Sequence, residues 1–204
     1  MSEMIQNPEV YFKQFIPSGD SLLSEIEKDA WEKEIPIIGP VVGEMLYILA
    51  VAVKAKRILE LGTATGYSAI YLAKACEISD GQVVTVERVR NSADKAMSNL
   101  KKAGLAHRTD IRVGDALEVM SSIQEPFDFI FLDIDKEYYL GVLSQCQRLL
   151  KSGGLLVADN VGFKDSDDFN RAVFDVPEWR TVHLLSFLPF HSPENDGLCL
   201  ALRV

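Results

Sequence analysis

The sequence predicts an α/β chain: a doubly wound, mostly parallel sheet of seven strands, with an antiparallel hairpin at its C-terminal edge and helices at its N-terminus. Three observations point there. Apolar runs of strand length alternate regularly with helical patterns from Arg57 to Ala158. The first run, Arg57 to Leu61, opens into the small-residue turn Gly62-Thr63-Ala64-Thr65-Gly66 and then into a helical pattern from Ser68. Polar residues stand at the carboxyl end of each of five strands, where an open α/β sheet builds its ligand site.

In chain order, residues 2 to 16 carry Ile5, Val10, Tyr11, Phe12, Phe15 and Ile16, a short helix with a sticky face that Pro17-Ser18-Gly19 ends. Asp20 or Ser21 can cap the next helix, whose apolar positions Leu22, Leu23, Ile26 and Ala30 recur at helical spacing. Ile35 to Pro40 cannot be helical throughout, and Gly43 to Ala52 reads as a helix before the first strand. Gln82 to Glu87 is the second strand, and Asn91 caps the helix after it. Thr109 to Val113 is the third strand, followed by a helix to about Ile123, and Phe127 to Leu132 is the fourth. A helix from Lys136 to Leu150 stops at Ser152-Gly153-Gly154, and Leu155 to Ala158 is the fifth strand. Such βα alternation implies right-handed crossovers and a Rossmann-like core. Trp179 to Leu188 and Leu198 to Val204 then pair antiparallel at one edge. No linker or repeat divides the chain, so residues 1–204 read as one domain, with 1–53 its helical part and 54–204 its core.

The 204 residues suffice for one substantial core, and 48% hydrophobic with 25% charged residues is ordinary for a soluble protein. The net charge of −9 argues against a broad nucleic-acid footprint or an anionic membrane surface. Lys101-Lys102 with Arg108 and Arg112 is the nearest approach to a basic patch and fits a solvated helix end equally well. Cys76, Cys146 and Cys199 have no zinc spacing and read as buried thiols, consistent with a reducing cytoplasm. No signal peptide and no membrane span are expected; the apolar stretch Pro36 to Val53 is broken by Gly39, Pro40, Gly43 and Glu44.

The glycine turn says which ligand suits it. A dinucleotide turn wants G-x-G-x-x-G, and Ala64 stands where its middle glycine would be. That ranks a nicotinamide-dependent oxidoreductase last. Glu60, just ahead of the turn, suits a ligand with a positive end, such as the ammonium and sulfonium of S-adenosylmethionine. Glu87 can accept two hydrogen bonds from a ribose diol. Gly114-Asp115 ends the third strand, Asp133 the fourth and Asp159-Asn160 the fifth. Each is commonly a turn or cap residue; five on one edge mark a site. Asp133, Asp159 and Asn160 are oxygen donors that suit a hard divalent cation such as Mg²⁺. Lys136, three residues after Asp133, is a candidate general base in a partly dry cleft, and otherwise a surface lysine.

With these residues in hand, the chain resembles the small cation-dependent O-methyltransferases that include catechol and caffeoyl-CoA O-methyltransferases. The resemblance covers nearly the whole chain. It rests on Leu59 to Ser68, Val86-Glu87, Gly114-Asp115-Ala116, Leu132-Asp133-Ile134-Asp135-Lys136, Ala158-Asp159-Asn160-Val161 and Asp196-Gly197-Leu198. It implies that Glu60, Gly62, Thr63, Tyr67 and Ser68 line the methionine part of S-adenosylmethionine. Glu87 would hold the ribose, and Gly114, Asp115 and Ala116 would flank the adenine, with Asp133 also at the cofactor. Asp133, Asp159 and Asn160 would bind the cation, Mg²⁺ with Mn²⁺ or Ca²⁺ as alternatives, and Lys136 would take the acceptor's proton. The acceptor implied is a small, catechol-like vicinal diol; the alternatives are a hydroxylated tRNA uridine and cofactor binding without catalysis. The resemblance further implies a homodimer, which the apolar N-terminal segment would suit. The segment from Val161 to Val204 is short for this family, so the acceptor side is expected to be more open or partly built by a partner subunit. Phe187, Phe190 and His191 could form an aromatic wall there, or simply pack in a core or loop.

Overall fold

In the computed structural model, residues 3–16 and 20–204 are described. Five strands run parallel: β1 (Arg57–Leu61), β2 (Gln82–Glu87), β3 (Thr109–Val113), β4 (Phe127–Leu132) and β5 (Leu150–Ala158). The hairpin strands β6 (Trp179–Phe187) and β7 (Asn195–Arg203) complete a seven-stranded sheet ordered β3-β2-β1-β4-β5-β7-β6. β7 lies antiparallel to both β5 and β6, so β6 is the outer edge.

Strand residues alternate between two cores. Ile58, Phe129, Phe131 and Val157 face a cluster shared with helices α2 (Ser21–Glu32), α3 (Gly39–Ala52) and α4 (Tyr67–Ser79). Leu59, Leu61, Ile130, Leu132 and Leu156 face the opposite cluster, with α6 (Ala116–Ser122), α7 (Tyr139–Leu149) and α8 (Asp167–Asp175). Burial on both faces explains why these strands read as continuous apolar runs rather than as alternation. Each fully buried Leu or Phe contributes about 2 kcal/mol, so the two-sided core outweighs any local propensity. α5 (Arg90–Lys102) crosses from β2 to β3.

Local chemistry sets the ends. Asp20 caps α2, its Oδ1 accepting from Leu23 N at 2.9 Å. α3 begins a turn earlier than Gly43, because Pro40 sits in its first turn, where the missing N–H costs nothing. Asn91 is not a cap: α5 begins at Arg90, and Glu87 Oε1 accepts from Val89 N instead. The expected helix from Lys136 is a 3₁₀ turn over Lys136–Tyr138 that leads into α7. β5 starts at Leu150, with its register shifting between Phe127 and Phe129 of β4. α8 was not foreseen: its apolar positions Phe169 and Val173 are few and lie among charges. The N-terminal α1 (Pro8–Phe12) buries none of its residues, and the expected stop at Pro17-Ser18-Gly19 lies outside the described residues. All three cysteines are buried. No helix among the described residues is long and apolar enough to cross a membrane.

The glycine turn is a steric requirement. Gly62 has φ +99°, and a Cβ there would lie 1.9 Å from the Asp133 carbonyl oxygen. Gly66 at φ +83° turns the chain into α4. We expect Gly62→Ala to lose about 2–4 kcal/mol of stability, read by urea unfolding. An unchanged midpoint would mean that the β1 and β4 ends can separate freely.

Candidate functional site

The ladder runs one residue past the strands and sets their ends side by side. Gly114 N donates to Glu87 O (3.0 Å), Gly62 N to Val86 O (3.0 Å), Asp133 N to Leu61 O (2.8 Å) and Asp159 N to Leu132 O (3.0 Å). All five predicted strand ends therefore lie along one edge. A cleft of about 500 Å³ opens there. Of the candidate residues, Gly62, Glu87, Gly114, Asp115, Ala116, Asp133 and Lys136 line it, with Val86, Ile134 and Val142 among its apolar walls. Glu60, Thr63, Tyr67, Ser68, Asp159 and Asn160 do not line it. A second groove, of about 620 Å³ between α8 and β6, holds none of the candidates.

Glu87 is held open-handed. Its two carboxylate oxygens accept from Ala64 N at 2.9 Å and Val89 N at 2.8 Å, and each oxygen keeps further acceptor capacity. Asp115 caps α6, accepting from Leu117 N and Glu118 N. Glu60 is fully buried. The Thr85 hydroxyl donates to its Oε2, and Thr63 in turn donates to Thr85, while Oε1 has no partner. Burial pushes the Glu60 carboxyl up to about 7, against the pull of the Ser68 and Thr85 hydroxyls. The Tyr67 hydroxyl is committed to Glu27 of α2, so Tyr67 braces the turn from behind.

The second half of the edge is a network of charges. Lys136 Nζ lies 3.1 Å from Asp133 Oδ1, both side chains about a fifth to a quarter exposed. Burial and the nearby Asp159 carboxylate hold Asp133 above the usual carboxylate range, against Lys136 and His191. His191, from the turn between β6 and β7, points Nε2 at both oxygens of Asp159, at 2.9 and 2.8 Å. Its Nδ1 faces the Pro193 carbonyl at 2.7 Å. Burial pulls the His191 ring down, but the Asp159 carboxylate outweighs it and leaves the ring above its ordinary value. Asn160, at φ +50°, donates from Nδ2 to Asp196 Oδ2 at 2.6 Å and to Ser192 O at 3.3 Å. Asp196 Oδ1 also accepts from Gly162 N and Gly197 N.

This arrangement bears on the expected cation. Asp133 and Asp159 offer carboxylate oxygens. Asn160 has turned its nitrogen to Asp196, which leaves its carboxamide oxygen as the free donor. The donor chemistry fits a hard divalent cation. Among the described residues no three His, Cys, Asp or Glu side chains could hold a metal ion, so a cation would lean on Asn160 and on water or acceptor oxygens. Two residues escaped the sequence reading. Asp196 was noticed only as part of a motif, and His191 only as a ring. The D-N pair was the one available signal, since a buried carboxamide beside a carboxylate needs an acceptor for its N–H groups.

An O-methyltransferase family profile matches residues 19–173. The chain is 34% identical over 166 residues to a catechol O-methyltransferase of Niastella koreensis, covering 78% of this chain and 75% of that one. It is 40% identical over 120 residues to a catechol O-methyltransferase of Mycobacterium tuberculosis, covering 58% of this chain and only 54% of that protein. The solved structure of the O-methyltransferase TomG from Streptomyces achromogenes, in complex with SAM, superposes with a TM-score of 0.86 at 28% identity, covering 98% of this chain and 100% of that one.

Two outcomes follow from the geometry. Glu60 titrates near its ordinary 4.5 when unfolded and at about 7 in the fold. The folded state therefore holds the proton more tightly, and this group's stabilisation is complete below pH 4.5 and lost as pH rises through 7. In urea unfolding at pH 5 and pH 8, wild type should lose up to about 3 kcal/mol more than Glu60→Gln; parallel losses would put the carboxyl's burial in error. Asp196→Ala should cost about 2–4 kcal/mol, because it strands the Asn160 amide and two backbone N–H groups. A cost under about 0.5 kcal/mol, the range of ordinary surface substitutions, would mean that solvent replaces all three bonds.

Proposed function

The chain belongs to the O-methyltransferase family, and from that premise we propose that it methylates one hydroxyl of a small, catechol-like vicinal diol with the help of a divalent cation. It is an S-adenosylmethionine-dependent O-methyltransferase. The observation that carries the finer reading is the Asp133–Lys136 pair, which shares one cleft with Gly62, Glu87 and Gly114 to Ala116.

The cleft fits the cofactor. It has room, apolar walls, a ribose acceptor in Glu87 and, beside the turn, a buried Glu60 oxygen with no donor. S-adenosylmethionine supplies an electrophilic methyl on its sulfonium. Glu60 and Gly62, braced by Thr63, Tyr67 and Ser68, take the methionine end. Glu87 receives the ribose hydroxyls, and Gly114, Asp115 and Ala116 flank the adenine. Lys136 would accept the acceptor hydroxyl's proton at Nζ, which would free that oxygen to take the methyl, with the thioether as the leaving group. Asp133, Asp159 and Asn160 would hold the cation, which would supply the Lewis acidity that lowers the acceptor's pKa. Much of the rate then comes from positioning, and Val86, Ile134 and Val142 keep water from a reaction that discharges a sulfonium. Exposed Val10, Phe12 and Phe15 support a homodimer, which sedimentation at two concentrations tests.

Calorimetric titration with S-adenosylhomocysteine, then with a vicinal diol in Mg²⁺ or chelator, tests the whole. We expect the nucleoside to bind in both conditions and the diol only with metal. Equal diol affinity in chelator would remove the cation from the reading. Lys136→Met should lower kcat by about 10²–10⁴-fold and leave S-adenosylhomocysteine affinity intact. Retained turnover would remove Lys136 as the base.

A further inference from the structure

We propose that the outer edge of β6 pairs antiparallel with the β6 edge of a second copy of this chain, joining two seven-stranded sheets across a two-fold axis at His183. The inference rests on the homodimer reading and names its surface; it does not depend on the cleft.

The two edges of the sheet are built differently. β3 is five residues long and carries Asp110 and Arg112, paired at 2.9 Å. A short, charged edge resists pairing with another strand. β6 is nine residues long, in unbroken register with β7 from Trp179 to Phe187. Residues 182–187 hold no Lys, Arg, Asp, Glu or Pro. Among the described residues, the backbone of 180–187 hydrogen-bonds to β7 alone, so about half of its N–H and C=O groups face outward. Leu185 is 85% exposed, and Val182 and Leu184 are exposed beside it. The groove between α8 and β6 brings the exposed Phe174 to the same place. Bare backbone and apolar side chains thus share one strip, a template that natural edges leave uncovered at the risk of aggregation.

A second copy fits this strip because the strip complements itself. A two-fold axis at the midpoint of β6 sets all nine residues opposite partners: Val182 meets Leu184, Thr181 meets Leu185, and His183 meets its own twin. Burial holds the His183 ring below its ordinary value, so the twin rings meet uncharged at neutral pH. Each end of the strip carries one charge of each sign. Glu178 and Arg180 stand at the start. Lys13 and Glu194, paired at 3.6 Å, stand at the end, with Lys13 Nζ 5.3 Å from the centre of the Phe187 ring. The N-terminal segment with exposed Phe12 and Phe15 therefore abuts the strip. In the groove, Arg171 is paired with Asp167 at 2.9 Å, which leaves one further acid, Asp175. Two chains of net charge −9 repel as wholes, and the near-neutral β6 edge is where they can approach. Nine residues span about 30 Å, and an edge with one helix layer is about 20 Å deep. The strip thus offers on the order of 600 Å² a side, about 1,200 Å² in all, the lower end of a stable interface.

Sedimentation of the full chain from about 1 to 100 μM tests the surface. The samples are wild type, Leu184→Lys, Leu185→Asp and, on α2, Trp31→Lys, whose side chain is also 85% exposed. We expect wild type and Trp31→Lys to dimerise and both β6 variants to weaken the dimer at least about tenfold, because each puts a charge into an apolar contact. A thiol trap then fixes the register. The three native cysteines are buried, and directly opposed residues have Cβ atoms about 4.5–5.5 Å apart. Oxidation should link two copies through His183→Cys. It should not do so through Leu185→Cys, whose twin lies about 13 Å away along the strand. A wild type that stays monomeric at about 100 μM, well above the Kd of a stable dimer, overturns the homodimer reading and this inference with it. A wild-type dimer that both β6 variants leave intact overturns the surface alone, and its loss in Trp31→Lys would then place the contact on α2. Links through both cysteine variants, or through neither, overturn the pairing even if the charge variants fail to fold.

Discussion

The compensation of buried carboxylates along one sheet edge is the constraint on which the rest of this structure depends. A parallel sheet in register brings Glu60, Glu87, Asp133 and Asp159 to neighbouring strand ends, and β7 adds Asp196 beside them. Carboxylates so placed repel one another and lose hydration. Each is answered differently. Backbone N–H groups hold Glu87 and Asp196. The Lys136 ammonium lies on Asp133 and the His191 ring on Asp159. The Thr85 hydroxyl holds one oxygen of Glu60, and the other has no hydrogen-bond partner. The turns around this edge are shaped by those answers. Gly62 must be glycine so that Asp133 can approach, Asn160 takes a left-handed backbone so that its amide reaches Asp196, and the β6–β7 turn folds inward to deliver His191.

How much of this could be read from the sequence depended on the range of the interaction. The glycine turn, the apolar strands and the polar residue after each strand are local, so Gly62, Glu87, Asp115 and Asp133 stood out at once. Lys136 did too, because three residues of a helical turn bring it over Asp133. Other features needed the fold. Tyr67 lies in the recognisable motif, yet its hydroxyl goes to Glu27 in an earlier helix. The partnership of His191 with Asp159 joins positions far apart in sequence through an irregular turn with no periodicity. α8 was hidden because its two buried side chains sit among five charged or polar ones, and a two-residue stripe is too weak to separate from a polar loop.

The lining of the cleft favours a small acceptor over a polyanion. Glu87, Asp115, Asp133 and Asp135 line it with Arg88 and Lys136 as the only cations. Arg88 is paired with Asp135 at 3.0 Å and Lys136 with Asp133. An RNA backbone would need free lysine or arginine side chains near the cleft, and on this edge both are answered. A neutral diol carries no such requirement.

At the end of β1, Glu60 keeps an oxygen without a donor, and burial pushes its carboxyl up to about 7. At the ends of β4 and β5, Lys136 lies on one oxygen of Asp133 and the His191 ring on both oxygens of Asp159. The two ends of the edge thus differ in how their buried carboxylates are partnered: β1 leaves one oxygen of Glu60 without a donor, whereas a turn remote in sequence supplies the partner of Asp159.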